Sequence, residues 1–178
     1  MNYESVHESL REYAKEHNGK LPKAATWQED LRPYVKKAIA RMKEDGPPEQ
    51  MGIEIMNADD DKWGCKTGKE GEMTGMYFND DVSEMKIDDL ESKYATPIIF
   101  EAPTAVKNGH RKYEKLDENT SPTFMGERRG WVIVTWDDVD GFNTGSGGRN
   151  VRFDVNSNSD EKASDEKAPP SDSEASKN

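Results

Sequence analysis

The chain has 178 residues, of which 32% are hydrophobic and 34% are charged, and its formal net charge is −11. The length predicts a single domain. An acidic surface repels phosphate groups, so we expect neither nucleic acid nor an anionic lipid surface as a partner. The single cysteine, Cys65, excludes an intrachain disulfide. No apolar run approaches the roughly 20 residues that span a bilayer.

The C-terminal segment, residues 156–178, contains no Val, Ile, Leu, Met or aromatic residue. Such a segment cannot bury enough apolar surface to offset the entropy lost on ordering. We therefore predict a folded domain over residues 1–155 and a disordered tail rich in Ser, Asp, Glu and Lys over residues 156–178. A solubilising tail is the simpler interpretation, and a docking arm or a spacer is the alternative.

Two helical stretches are predicted in the first third of the chain. Residues 3–17 place Val6, Leu10 and Tyr13 on one face, and Asn18-Gly19 is a typical helix stop. A second stretch begins at Thr26. Thr26 and Glu29 have the spacing of a capping box, in which Thr26 is the N-cap. Pro33 is expected to break this stretch and begin a new helix, and Gly46-Pro47-Pro48 is expected to end it.

Beyond Pro48 the pattern favours strands. Alternating or β-branched residues predict five strands, over residues 51–56, 73–78, 96–102, 131–136 and 151–155. The interval from Asn108 to Arg129 holds few apolar groups and is predicted to be a long loop, which is usually functional or mobile. Helices followed by strands indicate an α+β fold with an antiparallel sheet.

No catalytic site is predicted. His7, His17 and His110 are the only histidines, and none lies near Cys65 in the sequence. We expect His7 and His17 to decorate the first helix and His110 to lie in a mobile loop. One cysteine and three dispersed histidines do not make a zinc site. The run Gly145–Gly148 lacks the Lys-Ser/Thr pair of a phosphate loop and is predicted to be a flexible turn.

Calcium is the only cofactor that the sequence raises. Hard oxygen ligands at alternate loop positions suit calcium. The two candidate clusters are Asn57, Asp59 and Asp61, and Asp138, Asp140 and Asn143. Neither completes an EF-hand pattern, and aspartates are also good turn formers, so solvated turns are the simpler interpretation of both.

The four tryptophans allow two interpretations. Trp27, Trp63, Trp131 and Trp136 could form an aromatic binding surface. Tryptophans of a small sheet protein more often belong to the core. We expect this of Trp27 and of at least one of Trp131 and Trp136.

One region is similar to a known family. The run from Tyr13 to Pro22, followed by Trp27, Leu31 and Pro33-Tyr34, resembles the segment just after the membrane helix in bacterial type II secretion pseudopilins and their prepilin-type relatives. In that family a helix with a "Tyr-Ala-x-x-Asn/His-x-Gly-x-Leu/Tyr-Pro" end is followed by "Trp-x-x-x-Leu-x-Pro-Tyr".

Further similarities follow in the same order along the chain and bring the coverage to most of residues 10–155. Cys65 with Thr74–Asn79 resembles the family's cysteine and its "Ser/Thr-x-Tyr-x-x-Asn" strand. Ile87–Leu90 with Ala95–Glu101 resembles a turn that leads into a buried strand ending in Glu. Gly147–Phe153 resembles the closing "Gly-Gly-x-Asn-Val-x-Phe" strand.

The resemblance implies a pilin-like fold, in which an N-terminal helix packs on an antiparallel sheet. It implies a non-enzymatic structural subunit of a pseudopilus or pilus-like envelope assembly, with a periplasmic or cell-envelope location for the full-length protein. Other pilin-like subunits or secretion-system proteins would be its partners. The interaction face would comprise Val6, Leu10 and Tyr13 on the helix, together with the loops 57–63 and 107–129.

The family's cleavable leader and apolar N-terminal helix do not precede the matched segment. We therefore expect the sequence to be the soluble head of a longer protein, beginning just after a membrane helix. Its attachment to a membrane would then occur only through that helix.

Two other functions compete with the structural subunit. One is a soluble acidic binding module for calcium or for a basic protein partner, since a net charge of −11 speeds encounter with a basic partner. The other, which we favour least, is a carboxylate-based hydrolase that uses Asp137, Asp138 and Asp140 beside Trp136.

Overall fold

The computed structural model of the protein describes residues 2–44, 56–66, 73–124, 127–128, 130–136 and 152–154. Within these residues the chain forms two α-helices, α1 (Asn2–Glu16) and α2 (Trp27–Glu44), which pack against each other. The described strands are β1 (Gly64–Lys66), β2 (Met73–Asn79), β3 (Ile99–Ala102), β4 (His110–Arg111), β5 (Thr123–Phe124), β6 (Glu127–Arg128), β7 (Trp131–Val134) and β8 (Arg152–Asp154). The predicted α+β class is confirmed.

Helix α1 ends where the sequence predicts. Asn18 and Gly19 both adopt a positive φ, of 55° and 75°, which turns the chain out of the helix. The amide of Gly19 donates to the carbonyl of Ala14 at 2.8 Å and satisfies one of the last free acceptors of the helix.

Helix α2 differs from the prediction, because it runs through Pro33 as one helix. Pro33 is exposed, whereas Leu31 and Val35 on the inner face are fully buried. The burial of this continuous stripe offsets the one backbone hydrogen bond that proline cannot donate.

The predicted capping box at Thr26 is also wrong. The backbone amide of Thr26 donates to the carbonyl of Lys23 in a 3₁₀ turn (Ala24–Thr26), so it is not available to Glu29. The side chain of Thr26 instead donates its Oγ1 hydroxyl to Asp30 Oδ2, at 3.0 Å.

The main sheet is antiparallel with one exception. Its strands follow the order β1-β2-β3-β7-β8, and β4 runs parallel to the end of β2. β1 pairs with β2 only as far as Gly75, so the later part of the same edge, at Phe78 and Asn79, is free to pair with β4. β5 and β6 form a separate hairpin.

The strands predicted over 73–78, 96–102 and 131–136 are present with shifted ends. Of the strand predicted over 151–155, the described residues 152–154 form β8. For the strand predicted over 51–56, residues 51–55 lie outside the described residues. The interval 108–129, predicted to be a loop, contains three short strands and a 3₁₀ turn (Glu118–Thr120). The predicted tail at 156–178 and the glycine turn at 145–148 also lie outside the described residues.

The core lies between the two helices and the sheet. Trp27, Trp63 and Trp131 are buried, which confirms the prediction for Trp27 and for one of the two later tryptophans. The ring of Trp27 meets the ring of Trp63 edge to face, with centroids 5.4 Å apart. Its Nε1 donates to the carbonyl of Gly109 at 2.9 Å, which fixes the start of α2 to the loop before β4.

Candidate functional site

The acidic loop predicted as a calcium site, residues Asn57–Asp61, lies beside α2 and is neutralised by lysines of the same chain. Asp59 Oδ1 lies 2.6 Å from Lys36 Nζ, and Asp61 Oδ1 lies 3.1 Å from Lys107 Nζ. The hydrogen bond and the charge of Asp61 raise the pKa of Lys107. We call residues 57–61 the paired loop.

A third cation approaches the backbone of the paired loop. Arg32 Nη1 donates to the carbonyl of Ala58 and, at 3.2 Å, to that of Asp60. The same guanidinium lies over the ring of Trp63, 5.7 Å from its centroid. Carbonyl oxygens are typical calcium ligands, so Arg32 holds the groups that a metal ion in this loop would use.

The proposed ligands of the paired loop also diverge. Asn57 Oδ1 accepts from the amide of Asp59 at 3.2 Å, which is an Asx turn, while the carboxylates of Asp59 and Asp61 turn to different lysines. Among the described residues, no group of three or more His, Cys, Asp or Glu side chains could hold a metal ion. The second cluster, Asp138, Asp140 and Asn143, lies outside the described residues.

The predicted interaction face on α1 points mainly into the chain's own core. Val6 and Leu10 are fully buried, so they contact this chain and are closed to a partner. Tyr13 is only partly buried. Its ring stacks on His17 at 3.8 Å and meets Tyr34 edge to face at 5.7 Å.

The histidines occupy three different environments. His17 lies exposed at the end of α1, as predicted, whereas His7 is buried on its inner side. His110 lies in β4 rather than in a loop, because its backbone pairs with Phe78, and its Nδ1 lies 2.7 Å from Asp80 Oδ1. The carboxylates of the hydrolase alternative, Asp137, Asp138 and Asp140, lie outside the described residues.

A groove of about 660 Å³ lies beyond the end of β2, and we call it the acidic groove. Two 3₁₀ turns, Asp80–Val82 and Ile87–Asp89, border it together with the turn at residues 91–97. Its apolar lining includes Val82, Leu90 and Pro97, and its acidic lining comprises Asp81, Asp89 and Glu91.

Asn79 holds the walls of the acidic groove together. Its Nδ2 donates to the carbonyl of Pro97 at 2.8 Å. Its Oδ1 accepts from the amides of Asp81 and Tyr113, at 3.2 and 3.1 Å. Asn79 is buried. Its three hydrogen bonds therefore fix the end of β2 to the turn Asp80–Val82, to Pro97 and to Tyr113.

The carboxylates at the acidic groove differ in their pairing. Asp81 Oδ2 lies 3.3 Å from Lys112 Nζ. Asp88, beside the groove, bonds Lys93 Nζ at 2.8 Å, and this hydrogen bond and charge lower the pKa of Asp88. The side-chain carboxylates of Asp89 and Glu91 have no ion pair or hydrogen bond among the described residues.

Sequence reasoning did not find the acidic groove. The available signal was the pair of acidic doublets, Asp80-Asp81 and Asp88-Asp89, each of which lies in a 3₁₀ turn. Neither doublet indicates concavity, because the walls of the groove come from segments far apart in the chain, and Asn79 bonds the end of β2 to residues 97 and 113.

Comparison with family models, curated proteins and solved structures found no match to this chain in any of the three. The fold itself defines an α+β protein with two helices on a curled antiparallel sheet. Neither described helix has the length and apolarity needed to cross a membrane.

Proposed function

We propose that this protein is a non-enzymatic structural subunit of a pseudopilus or pilus-like envelope assembly, of which this chain is the soluble, pilin-like head. One observation carries the proposal. The end of the first segment that resembles pseudopilins hydrogen-bonds to Ile87, the first residue of a later matched segment, and to Glu84 and Met85 shortly before it.

Three backbone bonds make this connection. The amide of Leu21 donates to Met85 at 2.9 Å, and that of Ile87 donates to Gly19 at 2.9 Å. The amide of Glu84 donates to Pro22 at 3.1 Å. The motif that ends the helix is therefore held against the start of the matched segment Ile87–Leu90, as is expected of motifs that belong to one fold.

The position of α1 also supports this role. Its apolar face lies against the core, and its exposed face and the outer loops remain for neighbouring subunits. Burial of Val6 and Leu10 moves the expected subunit contacts from the inner helix face to loops 57–63 and 107–129. In the paired loop, the side chains of Asp59 and Asp61 are exposed beside their lysines and accessible to a neighbour.

The decisive experiment is to determine the coding sequence immediately upstream of Met1. The proposal predicts an in-frame basic leader followed by about 20 apolar residues, the length of a membrane helix. A stop codon and a ribosome-binding site directly before Met1 would overturn it. If the leader is present, the full-length protein should be found in the fraction of fibres sheared from the cell envelope. Its absence from that fraction would also contradict the proposal.

A second candidate function is a binding module for a basic protein partner. The observation that favours it is the acidic groove, where Asp89 and Glu91 remain unpaired among the described residues. This function does not require a membrane helix, so the upstream sequence separates the two candidates.

A further inference from the structure

We propose that the acidic groove is the docking site for a basic segment of a protein partner, in which a Lys or Arg lies beside an aliphatic side chain. The inference does not depend on the structural-subunit proposal, because the chemistry of the groove is the same in a fibre subunit and in a free binding module.

The shape of the groove accommodates a side chain with an aliphatic part. Its volume of about 660 Å³ is within the range of sites that take several side chains or a small ligand. Met85 and Pro97 in its lining are partly exposed and offer apolar contact. Lys and Arg carry long aliphatic stems that pack on such a surface while the charged end stays near water.

The acidic side chains of the groove favour a partner of positive charge. Asp81, Asp89 and Glu91 line it, and none of its described lining residues is basic. Two of these carboxylates have no partner among the described residues, so a cationic group would meet them without displacing an existing ion pair. Complementary charge of this kind gives specificity and speeds association.

The acidic groove is preformed in the chain without a partner. The three hydrogen bonds of Asn79 fix the end of β2 relative to Pro97 and Tyr113. A preformed site avoids the entropy cost of ordering its walls on binding, which increases the affinity for a segment that fits it.

Two other occupants fit less well. A bare metal ion would leave the apolar lining uncovered. A second copy of this chain also carries a net charge of −11 and would be repelled.

The test uses the full chain and a fluorescent peptide, acetyl-Gly-Lys-Leu-Lys-Leu-Lys-Gly-amide, with binding followed by fluorescence anisotropy. In one comparison peptide Ser replaces Leu, and in the other Gln replaces Lys. We expect the first peptide to bind more tightly than either comparison peptide, since only it offers both apolar and cationic groups. Equal or tighter binding by either comparison peptide would overturn the inference.

Two pairs of variants locate the site. The double variant Asp89→Asn, Glu91→Gln should weaken peptide binding by about fivefold to tenfold, the range expected for two exposed ion pairs. The matched control Asp59→Asn, Glu44→Gln removes the same charge at exposed positions outside the groove, and should weaken it less than twofold. Equal losses would mean general charge attraction and would overturn the site.

A second pair of variants tests the site without removing an acidic side chain from the acidic groove. Ala95 is exposed and lines the groove, so Ala95→Lys should fill it and weaken binding as strongly as the double variant. Ala25→Lys places the same side chain at an exposed position elsewhere and should leave binding within twofold. Unchanged binding by Ala95→Lys would overturn the inference, as would self-association of the wild-type chain that this variant abolishes.

Discussion

The paired loop and the acidic groove are both rich in aspartate, yet they differ in what surrounds their carboxylates. In the paired loop, Lys36 and Lys107 neutralise Asp59 and Asp61, and Arg32 holds the backbone carbonyls. At the groove, Asp89 and Glu91 have no such partner among the described residues. An acidic cluster is therefore available to an external cation only when the fold brings no internal cation to it.

The comparison also changes which acidic region is of functional interest. Sequence spacing directs attention to residues 57, 59 and 61, because alternate oxygen ligands suit calcium. In the folded chain these residues face different lysines, whereas carboxylates of less regular spacing line one concave surface.

The largest expected effect concerns the two rings beneath the paired loop. Trp27→Phe should lower the free energy of unfolding by about 3 kcal/mol, and Trp63→Phe by about half as much. Both rings are buried, but Trp27 Nε1 donates to Gly109, whereas the buried Trp63 Nε1 has no hydrogen-bond partner within the part of the chain that the structure describes. Urea unfolding measures both losses, and equal losses would contradict the role of the Trp27 hydrogen bond.

The second prediction tests whether Arg32 holds the paired loop. Arg32→Met should lower the free energy of unfolding by about 2 kcal/mol, because the carbonyls of Ala58 and Asp60 lose a charged donor. The control is Lys36→Met, which breaks only the exposed pair with Asp59 and should cost at most about 0.5 kcal/mol. If the two variants unfold at the same urea concentration, the bonds of Arg32 to the backbone carbonyls stabilise the loop no more than the exposed ion pair of Lys36 does.

The third prediction concerns the carboxylate of Glu16, which lies outside both the paired loop and the acidic groove. Tyr34 donates its hydroxyl to Glu16 Oε2 at 2.6 Å. Burial, followed by this hydrogen bond and the charge of Glu16, raises the pKa of Tyr34 to about 12. Because an unfolded tyrosine ionises near pH 10, the stabilisation is complete below about pH 10 and is lost as the pH rises towards 12.

Tyr34→Phe should therefore cost about 1.5 kcal/mol at pH 8 and should reduce the fall in stability between pH 10 and 12. Urea unfolding at several pH values measures this dependence. Tyr94→Phe is the control, since Tyr94 is 64% exposed and should leave the dependence unchanged. An unchanged slope in Tyr34→Phe would show that other groups produce the alkaline loss.

The fourth prediction asks whether the paired loop becomes a calcium site when Arg32, the cation at its backbone carbonyls, is removed. Arg32→Met should bind calcium several-fold more tightly than the wild type, because two carbonyls are released beside the carboxylates of Asp59 and Asp61. Isothermal titration measures both affinities. An unchanged affinity would show that Arg32 does not occupy the position of a metal ion.

The smallest effect is expected beside the acidic groove. The hydrogen bond and charge of Lys93 lower the pKa of Asp88, and Lys86 contributes less. Lys93→Gln should raise the pKa of Asp88 towards its ordinary value, and Lys86→Gln should raise it less. An NMR titration of the carboxyl group measures both, and equal shifts would contradict the direct pairing of Lys93 with Asp88.

The elements that the sequence predicts correctly are those with a regular pattern of their own. Helix α1 shows its stripe and its Asn18-Gly19 stop, and β7 is a run of β-branched and aromatic residues. β1 and β4 have three and two residues and exist only because their backbones pair with β2, so no local pattern marks them. Pro33 misleads for the same reason, since the burial of its neighbours is a tertiary effect.

The sequence by itself determined the α+β class, the position of α1, most of the longer strands and the burial of Trp27. These follow from the spacing of apolar residues, which is local information. Only the tertiary structure decided which carboxylates are neutralised and which line a concave surface. Charge pairing and hydrogen bonding join residues far apart in the chain, such as Asp61 with Lys107 and Asn79 with the amide of Tyr113, and composition does not encode which of them meet.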